Sequence, residues 1–154
     1  MRAWLAIVGL AVAVRGALAL LPEAWIVRAL CTVPAWGVAW WHGVAVAPGL
    51  RLEVGTQSFV MTRACAAEGF LALLAAVVAV RRWRWLWGVY PAALLTNTLR
   101  IIATTSLACA LPGLRYERLL HMVTGLSCFL GALALVWILT ETKGASHDTL
   151  PRPR

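Results

Sequence analysis

Negative charge is the scarcest property of this chain. Six Asp and Glu face 14 Lys and Arg, and charged residues fill only 13% of 154 positions, where a soluble domain carries roughly a quarter. Hydrophobic residues make up 62% and the mean hydropathy is +0.80. At 16.7 kDa such a chain cannot hide its apolar surface in one water-soluble core, which excludes disorder, nucleic-acid modules and small secreted disulfide folds together. The formal net charge of +8 points to no nucleic-acid partner, because the cations sit between apolar runs, where membrane proteins keep orienting charge. Cysteine is scarce too. There are four, with no Cys-x-x-Cys pair, and Cys31, Cys109 and Cys128 lie in apolar segments without a ligand-spaced His. They read as small buried hydrophobes. With no metal-ligand set, neither a metal nor a cofactor is expected, and no internal repeat is visible.

What is present is a series of long apolar runs. A membrane helix needs about 20 mostly apolar residues, and the runs predict spans over 3–21, 28–47, 64–80, 85–111 and 120–140. The first is read as a retained helix rather than a signal peptide, since Arg15 interrupts it and further spans follow. The expected fold is therefore all-α, a polytopic transmembrane bundle of about five spans. One integral membrane domain covers 1–142, and 143–154 forms a polar, flexible cytoplasmic tail. Basic residues orient it. With the Arg81-Arg82-Trp83-Arg84 cluster inside, the inner side holds Arg15, Arg28, Arg81, Arg82, Arg84, Lys143, Arg152 and Arg154. The outer side holds Arg2, Arg51, Arg63, Arg115 and Arg118. Trp4, Trp40 and Trp41 then fall near the outer interface, and Trp25, Trp83, Trp85, Trp87 and Trp137 near the inner one. The outer loop 47–63 contains Leu50-Arg51-Leu52-Glu53-Val54, whose alternation suits a short strand in a small hairpin. Pro112-Gly113 reads as the turn ending the fourth span.

Ionisable residues inside lipid are costly and mark functional positions by default. Arg100 lies within the fourth span, with Thr96 and Asn97 on its face. Cys65 opens the third span beside Arg63 and near a helix N-terminus, both of which favour a thiolate. Glu68 lies one turn deeper, and Arg100 is its expected intramembrane partner. His121 begins the fifth span from the outside and is suited to general acid–base work. Each has a plain structural reading on its own: a helix-start Cys, an Arg bonded to carbonyls, an interfacial His. In the five-span arrangement, however, all three reach the same side of the membrane, and Cys plus His supplies a nucleophile and a base.

Cys65 at the start of one span, Asn97-Thr98-Leu99-Arg100 within the next and His121-Met122-Val123-Thr124-Gly125 on the last resemble the exosortase/archaeosortase family, of which this would be a compact member. Where that family often reads Cys-Ser-Gly or Cys-Ala-Gly, this chain has Cys65-Ala66-Ala67-Glu68-Gly69. The resemblance implies a membrane cysteine transpeptidase with Cys65, Arg100 and His121 as its triad. It implies protein substrates bearing a C-terminal sorting signal of motif, transmembrane helix and basic tail. Processing would pass through a thioester at the outer face of a bacterial or archaeal cytoplasmic membrane, resolved by water or by an amine or hydroxyl of a lipid or glycan. Asn97, Glu68 and Arg63 are the expected substrate-binding residues. The competing expectation is a non-enzymatic adaptor or transporter subunit that uses Arg100, Asn97 and Glu68 as a polar docking site. A thiol redox pair of Cys65 and Cys109 is a third.

Overall fold

The computed structural model describes residues 2–111 and 117–142. The Pro112-Gly113 turn, Arg115 and the 143–154 tail lie outside them. The chain is mostly helical, with α1 (Arg2–Ala19), α2 (Glu23–His42), α3 (Glu68–Arg82), α4 (Leu86–Ala110) and α5 (Glu117–Thr142). It is not purely α. β1 (Val46–Ala47), β2 (Arg51–Val54) and β3 (Gln57–Val60) form an antiparallel three-stranded sheet where a hairpin was expected. Leu52 and Val54 point into the core while Arg51 and Glu53 stay exposed, as the alternation requires. The register pairs Val54 with Gln57, so the β2–β3 loop is the two residues Gly55-Thr56. Gly55 at φ +61 supplies the left-handed turn that such loops demand.

Local chemistry explains where the helices stop. Pro22 has no N–H to continue α1 and instead opens α2. Gly43 at φ +67 ends α2, donating its N–H to Ala39 O. A 3-10 turn at Trp83–Trp85 reverses the chain so that α3 and α4 pack side by side, with Phe70, Leu74 and Val78 against Val89 and Ala93. Pro34 lies inside α2 and leaves the carbonyl of Leu30 without its helical donor. Asn97 of α4 approaches that carbonyl at 3.5 Å. One turn on, Gly37 lets the Thr98 methyl press against the α2 backbone. The sheet lies over this α2–α4 contact, with Leu52 and Val54 joining Ala35, Val38 and Ile101 in one core.

Two stretches are long and apolar enough to cross a membrane, 63–110 and 121–139, and α1 with α2 makes a third if that pair, bent by 110°, is one span. The first stretch doubles back at Trp83–Trp85, because the Cys65 carbonyl near its start meets Asn97 and Arg100 of α4.

The ends of the bundle correct the expected threading. Trp4 stacks on Trp137 with centroids 5.1 Å apart, and the Arg81 guanidinium lies 3.2 Å over the same Trp137 ring. Trp4 and Trp137 were expected at opposite interfaces, yet the start of α1, the end of α3 and the last third of α5 share one end. The physical reason is that α1 runs antiparallel along α3, placing Ile7 against Ala76 and Val77 and Arg15 beside Gly69. Arg15 therefore sits at the Arg63 end, not with the Arg81 cluster. Both ends of α2 meet one half of the molecule. The Arg63 amide donates to the Glu23 carboxylate near its start at 3.4 Å, and His42 at its finish lies 3.2 Å from the Thr105 hydroxyl. Both partners belong to the half of the molecule that holds the sheet. Trp25, Trp36 and Trp40 line up on the exposed face of α2.

Candidate functional site

Cys65 does not begin α3. It lies in the 3-10 turn Arg63–Ala66, and α3 starts at Glu68 after Ala67, which takes a left-handed conformation at φ +53. That conformation is uncommon without glycine. The thiol therefore lies three residues before the first turn of α3, not within it as expected. The Cys65 sulfur is half-buried, 3.8 Å from the Thr62 hydroxyl. What α4 grips is the carbonyl of Cys65, which accepts from Asn97 Nδ2 at 2.8 Å and from Arg100 Nη2 at 3.3 Å. Asn97 and Arg100 are one helical turn apart, so both reach the same point. They are 2% and 3% exposed, and among the described residues each retains a buried polar atom without a partner, Asn97 Oδ1 and Arg100 Nε. Thr96 does not join them. Its hydroxyl donates to Ala92 O within α4, the usual way a Thr satisfies itself in an apolar setting.

Glu68 belongs to Arg63 and not to Arg100. Arg63 Nε and Nη2 donate to the two Glu68 carboxylate oxygens at 2.6 and 3.2 Å. The same guanidinium donates to Leu18 O at 2.9 Å, which also accepts from the Leu21 N–H, and to Leu21 O at 3.3 Å just past the end of α1. The pair fastens α1 to the Cys65 turn, so Arg63 is spent on structure rather than on the neighbouring thiol.

His121 and Arg100 line one cavity of about 660 Å³, together with Thr104, Gly125 and Phe129, and with Ala64, the residue before Cys65. Its walls come from α4, α5, β3 and the 3-10 turn. The Thr104 and Thr124 hydroxyls, 2.8 Å apart, tie α4 to α5 along it. The sequence singled out His121 and Arg100 but missed Phe129. Phe129 stacks on Phe70 with centroids 4.4 Å apart, and its ring lies 5.3 Å from the Arg100 guanidinium carbon, within cation–π range. The available signal was spacing, since Gly125 and Phe129 follow His121 by one and two turns on one face. The cavity joins Arg100 to His121 and brushes the Cys65 turn. Among the described residues, though, no hydrogen bond links the Cys65 and His121 side chains.

All four cysteines are free. Cys31 is fully buried, as expected of a small hydrophobe, and its thiol points to Thr62 O at 3.8 Å. Cys109 packs under the sheet, 3.9 Å from Val54 O. It lies twelve positions beyond Asn97 in α4, about 18 Å along the helix, out of disulfide range of a Cys65 that Asn97 itself touches. The Cys65–Cys109 redox pair is thereby removed. Among the described residues no group of three or more His, Cys, Asp or Glu could hold a metal ion. In comparison with known proteins, no family model, no curated protein and no solved structure matches the chain.

Proposed function

We propose that this protein is a membrane-embedded cysteine transpeptidase or peptidase that processes C-terminally anchored substrates, with Cys65 as nucleophile, His121 as its base and acid, and Arg100 as the electrostatic partner. One observation carries the reading. A buried Arg and Asn converge on the backbone of a half-buried Cys, beside a cavity that the same Arg shares with a His. The left-handed Ala67 adds support, because its place two residues after Cys65 is where the exosortase-like pattern has a glycine.

The substrate strand enters the α4–α5 cavity with its scissile carbonyl over the Cys65 turn. His121 takes the thiol proton, the sulfur attacks, and a C–S bond forms as the carbonyl becomes an oxyanion. Arg100, which lines the cavity, donates a guanidinium N–H to that oxyanion. His121 then protonates the departing amine, the C–N bond breaks, and a thioester remains for water, or an amine or hydroxyl of a lipid or glycan, to resolve. Asn97 is a positioning residue that fixes the Cys65 carbonyl. Glu68 and Arg63 hold the turn against α1.

In the membrane, α1, α3, α4 and α5 each cross and α2 lies at the interface on its tryptophans, a revision of the five-span bundle. The Arg81 end faces the cytoplasm of a bacterial or archaeal cell, and the sheet and site face outward. The decisive experiment measures processing of a candidate substrate by wild type, Cys65→Ala, Cys65→Ser, Arg100→Ala and His121→Ala, with membrane levels checked. Loss in all four variants, with a covalent adduct trapped in the wild type, is the expected outcome. Normal processing by the Cys65 variants would end the nucleophile assignment and leave the polar docking site of an adaptor.

A further inference from the structure

Cation and carboxylate do not balance behind the Cys65 turn. A second cavity, about 550 Å³, is bounded by Arg15 of α1, Arg63 and Glu68, and by the inner face of Arg100 with Phe129. Glu68 is the one carboxylate on its wall, and both its oxygens are taken by Arg63. Arg15 stands within van der Waals reach of Gly69, is exposed on the outside of the bundle and has no hydrogen bond or ion pair among the described residues. Arg100 brings a second positive charge, nearly wholly buried, with Nε unsatisfied. Two uncompensated cations thus face one space in an apolar setting, where an unpaired charge is expensive.

Position narrows the counter-ion. Arg15 is exposed one turn from the end of an apolar helix, and in the membrane placement proposed above, on which this inference rests, that is the depth at which a long basic side chain reaches headgroups. Of the two carboxylates nearby, Glu68 is held by Arg63 and Glu23 meets the Arg63 amide, and neither forms an ion pair with Arg15, so the anion is sought outside the chain. We infer that this cavity binds the phosphodiester headgroup of an anionic phospholipid, held by Arg15 from the lipid side and by Arg100 from the interior. Arg63 is the third cation, already neutralised by Glu68. Arg suits the task because its fork can donate two bonds to one phosphate. The site requires no chemistry at Cys65, so it stands or falls separately from the proposed reaction.

The test uses the full-length protein in detergent, titrated with phosphatidylglycerol, phosphatidylcholine or inorganic phosphate, and reads retained lipid by native mass spectrometry. Wild type should retain phosphatidylglycerol over phosphatidylcholine. Arg15→Gln should bind phosphatidylglycerol roughly fivefold more weakly, the worth of one basic side chain at an anionic headgroup. Arg15→Lys should recover most of it, and Glu68→Gln should bind at least as tightly as wild type. Arg51→Gln, which alters an exposed sheet residue, should change nothing. Equal binding by Arg15→Gln and wild type would overturn the inference, as would an equal loss in Arg51→Gln. Displacement of the lipid by equimolar inorganic phosphate would overturn the headgroup assignment in favour of free phosphate. Arg15 is exposed, so its variants leave the fold intact, and elution as a single species checks this.

Discussion

The left-handed residue beside the nucleophile gives the sharpest quantitative test. Ala67 sits at φ +53, ψ 35 between the 3-10 turn and α3. A side chain there crowds the following carbonyl at a cost of about 1–2 kcal/mol, which glycine escapes. Glycine in turn loses about 0.5–1 kcal/mol through the extra freedom of its unfolded chain. The difference leaves Ala67→Gly more stable by roughly 0.5–1 kcal/mol, or about 1–4 °C in a chain of this size. Ala67→Val moves the other way, because a β-branched residue at positive φ is a true outlier, and should lose more than about 2 kcal/mol. Thermal unfolding of the three proteins in one detergent measures both. Ala67→Gly should also retain processing, since it keeps the geometry that Ala67 holds under strain. A clear drop in melting temperature for Ala67→Gly, or tolerance of Val, would mean that residue 67 is not left-handed and that the Cys65 turn is built differently.

Other perturbations probe the surroundings of that turn. Asn97→Leu should cost no more than about 2 kcal/mol, because losing the Nδ2 contacts to the carbonyls of Cys65 and Leu30 is partly offset by removing the orphaned Oδ1. Its processing should nevertheless fall at least about tenfold as the Cys65 carbonyl loses its shorter tether, and normal processing would remove the positioning role. Arg63→Ala should lower the melting temperature more than Glu68→Gln, since it leaves a carboxylate unpaired and unties Leu18 and Leu21, and the reverse order would contradict the ion-pair assignment. Gly37→Ala should cost about 1–3 kcal/mol, because Thr98, fixed by its 2.8 Å bond to Leu94 O, cannot easily turn its methyl away; an unchanged melting temperature would place α2 further from α4. Reporter fusions at the two ends of the chain should fall in the same compartment, and opposite compartments would rule out the Trp4–Trp137 stack.

The helices were legible because apolar runs and Pro or Gly breaks act locally, and β2 was legible because its alternation has a period of two. Direction was not. Hydropathy registers length and composition, so α2, with 20 mostly apolar residues, looks the same whether it crosses a bilayer or lies on one. Its three aligned tryptophans, 11 and 4 positions apart, were the available clue. The expected threading made α1 parallel to α3, whereas the two run antiparallel, and so moved Trp4 and Arg15 to the wrong ends. The site was legible residue by residue, through the cost of a buried cation at Arg100 and the thiol and imidazole near it. Its pairings were not. A continuous helix from residue 64 would set Arg63 and Glu68, five positions apart, on different faces, and Arg100 then looks like the free partner. The left-handed kink at Ala67 folds the two together, and nothing in Ala66-Ala67 announces a kink.

That kink also explains why Arg100 remains available. Had Glu68 continued into the bundle and neutralised it, the guanidinium would be an internal strut, and neither cavity would have a reason to be cationic. Diverting the carboxylate to Arg63 leaves Arg100 with one hydrogen bond to the Cys65 carbonyl, a ring face at Phe129 and an unsatisfied Nε. A fully buried cation in that condition is held by the surrounding fold and not by its own partners. Its remaining donors serve whatever enters from either side: a carbonyl from the α4–α5 cavity, or an anion from the Arg15 cavity. Lys would keep the charge but lose the planar fork that lets one side chain wall two spaces at once. The polar cluster is therefore better understood as two sites built around one arginine than as a sealed network of ion pairs.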